Sequence, residues 1–215
     1  WWGNYGTDSQ GECGVPVYKR FDAPESPQSN AIWWYSFDYG LVHVITISSE
    51  HDWTQGSEQY KFIENDLKSV DRTKTPWVIL TSHRMMYTTQ KREWADFIVA
   101  QAMRMALDDL INGKVDPDAY VDLMLVGHQH SYERSCPVYS NECVANGRAT
   151  VHVCVGTAGA NLEHGGFSHF YKFSTVHEED SHGLLTLNAT QQHIHVRFVR
   201  NNLTVFDDFK VLPWK

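Results

Sequence analysis

Three histidines stand where this chain could do metal or phosphate chemistry. His83 follows the apolar run at residues 77–81, and His128 and His130 follow a second run at residues 122–126. Short, uniformly apolar runs read as strands buried on both faces. In α/β sheets, ligands gather outside the carboxyl ends of such strands. In Gly127-His128-Gln129-His130, an extended backbone sends side chains i and i+2 to one side, about 6–7 Å apart at the backbone. Imidazoles converging from there reach two ions about 3.5–4 Å apart, the separation found in dinuclear hydrolases. Gly127 would allow close backbone approach or a conformation closed to other residues. Taken alone, the pair leaves metal ligation and a structural role both open. A second pair, His193-Ile194-His195, alternates with Ile194 and Val196 and reads as the solvent-facing row of a strand.

The elements that must position these histidines follow from periodicity. Residues 32–38 and 41–47 are apolar, aromatic and β-branched around Tyr39-Gly40, which predicts a hairpin. From Ser57, residues Tyr60, Phe62, Ile63, Leu67 and Val70 recur at helical spacing. A longer helix is predicted over 94–111, carrying Phe97, Ile98, Met105, Leu107 and Leu110 and stopped by Asn112-Gly113. Residues 150–155, 184–187, 193–199 and 203–211 read as strands. The first 30 residues are rich in Gly, Asp, Ser and Pro, show no periodicity and read as loop. Alternating strand and helix, then a run of strands, predicts α/β with a mixed sheet. There is no internal repeat, low-complexity tract or linker.

Composition narrows the function classes. With 215 residues, 42% apolar and 20% charged, the chain is neither disordered nor collagen-like. Its 18 Lys plus Arg against 26 Asp plus Glu leave 18 − 26 = −8, which argues against nucleic acid as a partner. The longest apolar runs, 77–80 and 123–126, fall far short of the roughly 18 residues of a membrane span. The chain opens on Trp1-Trp2 with neither Met nor a leader, so an upstream segment is expected. Cys13, Cys136, Cys143 and Cys154 are too few for a disulfide scaffold and lack paired CxxC spacing. Asn188-Ala189-Thr190 and Asn202-Leu203-Thr204 permit glycosylation in a secretory setting. No GxSxG or P-loop pattern occurs.

The run Gly127-His128-Gln129-His130-Ser131-Tyr132-Glu133-Arg134 resembles the GHxHxYER signature of the purple acid phosphatases, a branch of the calcineurin-like metallophosphoesterases. Further segments resemble the same family in the same order: residues 11–16, 34–40, 49–52, 59–60, 75–78, Ser82-His83-Arg84 with Tyr87, and 155–159. The resemblance spans nearly the whole chain. It implies a single, N-terminally incomplete metallophosphoesterase domain over 1–215: a mixed-sheet β-sandwich flanked by helices, loop-rich over 1–30 and strand-rich over 150–215. It also implies a metal-dependent acid phosphatase acting on phosphate monoesters. His83 and His128 would hold a divalent ion (Zn, Mn or Fe) and His130 the ferric ion, Fe(III). Tyr132, Glu133 and Arg134 would brace the HxH loop through a buried Glu–Arg pair. A disulfide between Cys136 and Cys143 would suit the secreted or vacuolar/lysosomal setting of the family. Cys154 is either a buried thiol or a partner for Cys13.

Departures from the family matter as much. The motifs GDxG, GDxxY and GNHE, which supply its oxygen ligands, are missing from these residues. Asn4 is followed by Tyr5-Gly6 and is rejected as a ligand. The expectation is the second half of a phosphatase domain, with three neutral imidazoles that bind metal weakly, because Fe(III) prefers carboxylate or phenolate oxygen. After His83 the loop reads Arg84-Met85-Met86-Tyr87-Thr88-Thr89, which leaves substrate preference open. Arg84 pairs either with a substrate phosphate or, as preferred, with a neighbouring carboxylate. His51 reads as solvated loop, and Glu50 and Asp52 have the residue types, without a diagnostic spacing, for acid–base work. Two rivals stand beside the phosphatase: a nucleotide phosphodiesterase/pyrophosphatase, and a non-catalytic, metal-deficient domain.

Overall fold

The computed structural model describes residues 15–91 and 94–214. Trp1, Trp2, Asn4, Cys13 and most of the 11–16 segment lie outside the described residues.

Among the described residues, the mixed sheet grows from a hairpin of β1 (Tyr35–Tyr39) and β2 (Val42–Thr46), turned by Gly40 at φ +59°. Helix α2 (Glu58–Ser69) follows; the Ser57 side chain caps it by accepting from the Tyr60 N–H. It returns the chain to β3 (Trp77–Ser82), parallel to β2. Helix α3 (Trp94–Ile111) then crosses back to β4 (Leu123–Val126), parallel to β3. Beyond β4 come β5 (Tyr132–Tyr139), β6 (Glu142–Cys143), β7 (Val151–Val155) and β8 (Ser174–Glu178), with β7 parallel to β4. The sheet order is β1-β2-β3-β4-β7-β5-β6, with β8 also on β5. Strands β9 (Gly183–Ala189), β10 (Ile194–Arg200) and β11 (Val205–Val211) form a second, antiparallel sheet of three strands, again among the described residues.

Two-residue periodicity sorts the core into two layers. In β3, Trp77 and Ile79 face β10 and β11, packing on Ile194, Val196, Phe198 and Val211, while Val78 and Leu80 face the helices. Helices α2 and α3 bring Phe62, Ile63, Leu67, Met103, Leu107 and Leu110 to that second layer. The expected hairpin, both long helices and the strands at 77–81, 122–126, 150–155, 184–187, 193–199 and 203–211 are present within two residues, except that the hairpin's first strand begins at Tyr35, three residues after the expected Ile32. Two expectations fail. Residues 15–20 form a short helix, α1 (Val15–Arg20), whose side chains are all at least partly exposed and so leave no apolar stripe to detect. Strands β5 and β8 lack the expected apolar run because their buried positions include Glu133, Ser135 and Glu178, and the two residues of β6 are both exposed.

At the far end of β2 from the histidine loops, His43 links the hairpin to α2. Its Nδ1 lies 2.6 Å from Asp38 Oδ1 and its Nε2 2.9 Å from Asp66 Oδ2. Burial acts to lower the pKa of His43, but the two carboxylates outweigh it and raise the value above the ordinary one. The folded state therefore prefers imidazolium. Stabilisation from this cluster is complete below the unfolded imidazole value of about 6.5 and is lost as pH rises through the higher folded value. The stability difference between wild type and His43→Gln should accordingly be larger at pH 5.5 (~) than near pH 8.5 (~). Urea midpoints measured across that range check this, and a difference independent of pH would contradict it.

Candidate metal centre

Strands β3 and β4 end level, with Ser82 opposite Val126, so the chain leaves both at one edge of the sheet. The Gly127 N–H donates to the His83 carbonyl at 3.0 Å, which fixes the two exits side by side. His83 Nε2 and His128 Nδ1 then face each other at 3.1 Å. His128 Nε2 lies 2.9 Å from Asp96 Oδ1, on the first turn of α3. A carboxylate accepts, so Nε2 carries the proton and Nδ1 turns its lone pair toward His83. Arg84 Nη1, 3.1 Å from the same ring nitrogen, donates to Asp96 at 3.1 Å, and Arg84 Nε donates to Glu50 Oε1 at 2.6 Å. Burial, His128 and Arg84 together hold His83 below the usual imidazole range, in the neutral form a ligand needs. Burial would raise Glu50, yet Arg84 pulls its carboxyl below the ordinary value.

His130 is oriented separately. Its Nδ1 donates to the Asn161 carbonyl at 2.8 Å, leaving Nε2 with its lone pair, and its backbone N–H donates to Glu163 Oε2 at 3.3 Å. The expected extended HxH geometry does not occur. Residues 127–131 form a bend, with the Gln129 N–H donating to the Gly127 carbonyl at 2.8 Å. His128, not Gly127, takes the left-handed conformation, at φ +67°. Nor is Gly127 closely approached, since a Cβ there would meet the His83 carbonyl only at 4.0 Å. The glycine this bend requires is Gly156, where a Cβ would sit 1.9 Å from the Gln129 carbonyl oxygen.

The expected Glu133–Arg134 pair is also absent, because neighbours on a strand point to opposite faces. Glu133 turns toward the loop after β3, accepting from the Thr89 N–H at 3.0 Å, from the Thr88 hydroxyl at 2.9 Å and from the Thr89 hydroxyl. Arg134 turns the other way and grips Asp207 of β11 with Nε and Nη2 at 2.6 and 3.0 Å, where the Tyr132 hydroxyl also donates, at 2.7 Å. Cys136 and Cys143 are joined by a disulfide. Cys154 is a buried thiol whose Sγ–H is shared between the carbonyls of Gly127 and Gln129, and burial pushes it up to about 12. His51 is not solvated loop: it packs against Trp33 and Trp34, with Nδ1 2.8 Å from the Ser48 hydroxyl. His195 pairs with Asp208 at 2.7 Å, while Ile194 and Val196 are buried beneath it, as expected of a structural pair. Asn188 and Asn202 are exposed.

Two imidazole nitrogens each about 2.1 Å from one ion, at 90–110°, lie roughly 3.0–3.4 Å apart. The His83–His128 separation matches that bite, and the donors suit a borderline divalent ion. A ferric ion fits poorly. Among the described residues, no group of three His, Cys, Asp or Glu side chains is arranged to hold a metal, so the oxygen donors it favours are not gathered here. Residues that periodicity could not single out, Asp96, Gly156 and Cys154, hold His128 and its loop in place. Replacing Glu133 with Ala should cost roughly 2–4 kcal/mol, because it strands buried donors from Thr88 and Thr89. Urea denaturation reads the loss, and amide exchange at Thr89 should accelerate; unchanged protection there would contradict the anchoring role.

Residues 149–208 match the family model described as "Iron/zinc purple acid phosphatase-like protein C". The chain is 35% identical, over 95% of its length, to the "Probable inactive purple acid phosphatase 27" of Arabidopsis thaliana, and covers 35% of that protein. It is 36% identical over 72% of its length to a "Nucleotide pyrophosphatase/phosphodiesterase" of Hordeum vulgare, covering 43% of it. The structure of a purple acid phosphatase from yellow lupin (Lupinus luteus) seeds superposes with a TM-score of 0.77 at 30% identity, over 96% of this chain and 37% of that one. The chain thus spans about a third of the Arabidopsis and lupin proteins. The signature around His128, the α/β fold and these matches agree, and the chain belongs to the purple acid phosphatase family.

Proposed function

We propose that these residues supply the imidazole half of a metal-dependent phosphoesterase site, and that the whole protein hydrolyses phosphate monoesters. The observation that carries this reading is the His83–His128 pair at 3.1 Å, with Asp96 fixing the tautomer that frees Nδ1. In this proposal His83 and His128 hold a divalent ion (Zn, Mn or Fe). His130, oriented by Asn161, offers one nitrogen to Fe(III), whose oxygen ligands come from outside these residues. Bound there, the ions would supply Lewis-acid polarisation of a phosphoryl oxygen. The protein's own contribution is to hold His83 in its neutral form and to aim all three imidazoles. Arg84, held by Glu50 and Asp96, serves this positioning rather than the substrate. Family membership also supports a secreted or vacuolar/lysosomal location, with Asn188 and Asn202 as exposed glycosylation sites. No helix among the described residues is long and apolar enough to cross a membrane.

A second reading, a non-catalytic domain, is favoured by the names of several Arabidopsis relatives, "Probable inactive", and by the lack of gathered oxygen donors among the described residues. The two readings diverge in the complete protein, where turnover of p-nitrophenyl phosphate supports the first and its absence with iron and zinc present supports the second. Faster turnover of bis(p-nitrophenyl) phosphate would instead point to a phosphodiesterase, as in the barley relative. For the chain alone, Co(II) or Zn(II) titration should show one weak site that His128→Ala removes, with no turnover of either ester. Turnover abolished by His128→Ala would show that these residues already form a complete site.

A further inference from the structure

Arginines that are partly buried here carry a carboxylate at 3.1 Å or less: Arg72 with Asp122, Arg84 with Glu50 and Asp96, Arg134 with Asp207, Arg200 with Glu178. Arg104 on α3 is more buried than any of them, 8% exposed, and forms no ion pair among the described residues. Its Nη1 donates to the Met86 carbonyl at 2.8 Å, and its guanidinium lies 5.1 Å from the centre of the Tyr87 ring. Nε and Nη2 make no hydrogen bond among the described residues and are not sealed from solvent. Burial of most of the side chain disfavours the cation, and the two donors that remain open are free to take an anionic partner.

Arg104 lines a cavity of about 320 Å³ between α3 and the β5–β6 turn, together with Tyr87, Asp108, Tyr139, Asn141 and Tyr171. The turn residues Ser140 and Asn141 sit at φ +52° and +67°, a primed hairpin turn bracketed by the Cys136–Cys143 disulfide. It holds Asn141 at the cavity, where its side-chain Oδ1 is sealed without a partner and its amide nitrogen, neither sealed nor hydrogen-bonded among the described residues, is the group left to donate to a ligand hydroxyl. Asp108 already accepts from the Tyr87 hydroxyl, the Ser140 N–H and the Asn112 amide, at 2.8, 2.9 and 3.0 Å.

We propose that this cavity, remote from the histidines, binds a small hydroxycarboxylate of sugar-acid size, its carboxylate on Arg104 and a hydroxyl on Asn141. A planar carboxylate matches the guanidinium fork. Asp108 and Asp109 line the same space and repel any anion, a phosphate dianion about twice as strongly as a carboxylate, which favours the singly charged ligand. The tyrosine rings offer faces for the carbon chain, and the volume suits a six-carbon acid.

Calorimetry on the full chain at low salt tests this with D-gluconate, sorbitol and inorganic phosphate as probes. Gluconate should bind saturably, at least tenfold tighter than phosphate, and sorbitol, which lacks the anion, should not bind. Arg104→Gln should weaken gluconate at least tenfold and Asn141→Ala several-fold, while His128→Ala leaves it unchanged. Failure of gluconate to bind, equal affinity in wild type and Arg104→Gln, or phosphate binding as tightly would each overturn the proposal and leave Arg104 as an anchor for the Met86 carbonyl. Should Arg104→Gln not fold, Asn141→Ala decides, since an unchanged gluconate affinity there also overturns it. These outcomes are independent of the histidine site, which the metal titration judges separately.

Discussion

The parallel pairing of β3 with β4 is the constraint on which the rest of the molecule hangs. Because Ser82 and Val126 are level, His83 and His128 leave the sheet together, and their nitrogens meet at 3.1 Å without further adjustment. Parallel neighbours cannot be joined by a tight turn, so the chain must spend a helix on each return. The same crossovers bury both faces of β3, which explains why its sequence is apolar without alternation. Helix α3 does more than cover the sheet. Its first turn delivers Asp96 to His128, so the crossover that the topology demands also sets the tautomer of that histidine.

Electrostatics at the strand ends is arranged around the His83–His128 pair. A cation as close as Arg84 would repel a metal ion if left unpaired, but Glu50 and Asp96 take up its donors. The three groups form a compensated cluster beside His128 rather than a free anion receptor. That is why the start of the loop after β3, Arg84-Met85-Met86, acts as support. Asp207 plays the matching part on the opposite face of the sheet, gathering Arg134 and Tyr132 and tying the second sheet to β5.

Much of this was legible in the residues. The apolar runs at 77–81 and 122–126 gave the two central strands, and the histidines after them gave the edge where a site forms. The local backbone was not legible. Reading His128 and His130 as extended assumed that the strand continues, whereas Gly127-His128 turns immediately, because the Gln129 N–H closes back on Gly127. Gly127 drew attention for being in the motif, yet the close approach belongs to Gly156, some 30 residues on (~), a pairing that one sequence cannot show. The Glu133–Arg134 pair failed for a simpler reason. Residues 132–139 were not recognised as a strand, and only a strand separates neighbours onto two faces. Their burial is purchased by hydrogen bonds, not by hydrophobicity, so no apolar period announces them.

The segment from His83 to Lys91 shows how such a loop can be as well fixed as a helix. It is buried from Met85 to Gln90 with no helix or long strand to satisfy its polar groups. Each is met from outside. Arg104 holds the Met86 carbonyl, Asp108 accepts from the Tyr87 hydroxyl, Glu133 holds Thr88 and Thr89, and Gln90 donates to the Glu163 carbonyl while accepting from Ser131. Those partners come from α3, β5 and the loops that carry His130. Buried backbone must be satisfied somewhere, and here the satisfying groups belong to the same elements that aim the ligands. The loop that begins at His83 is thus fixed by side chains from the elements that also frame the histidine edge.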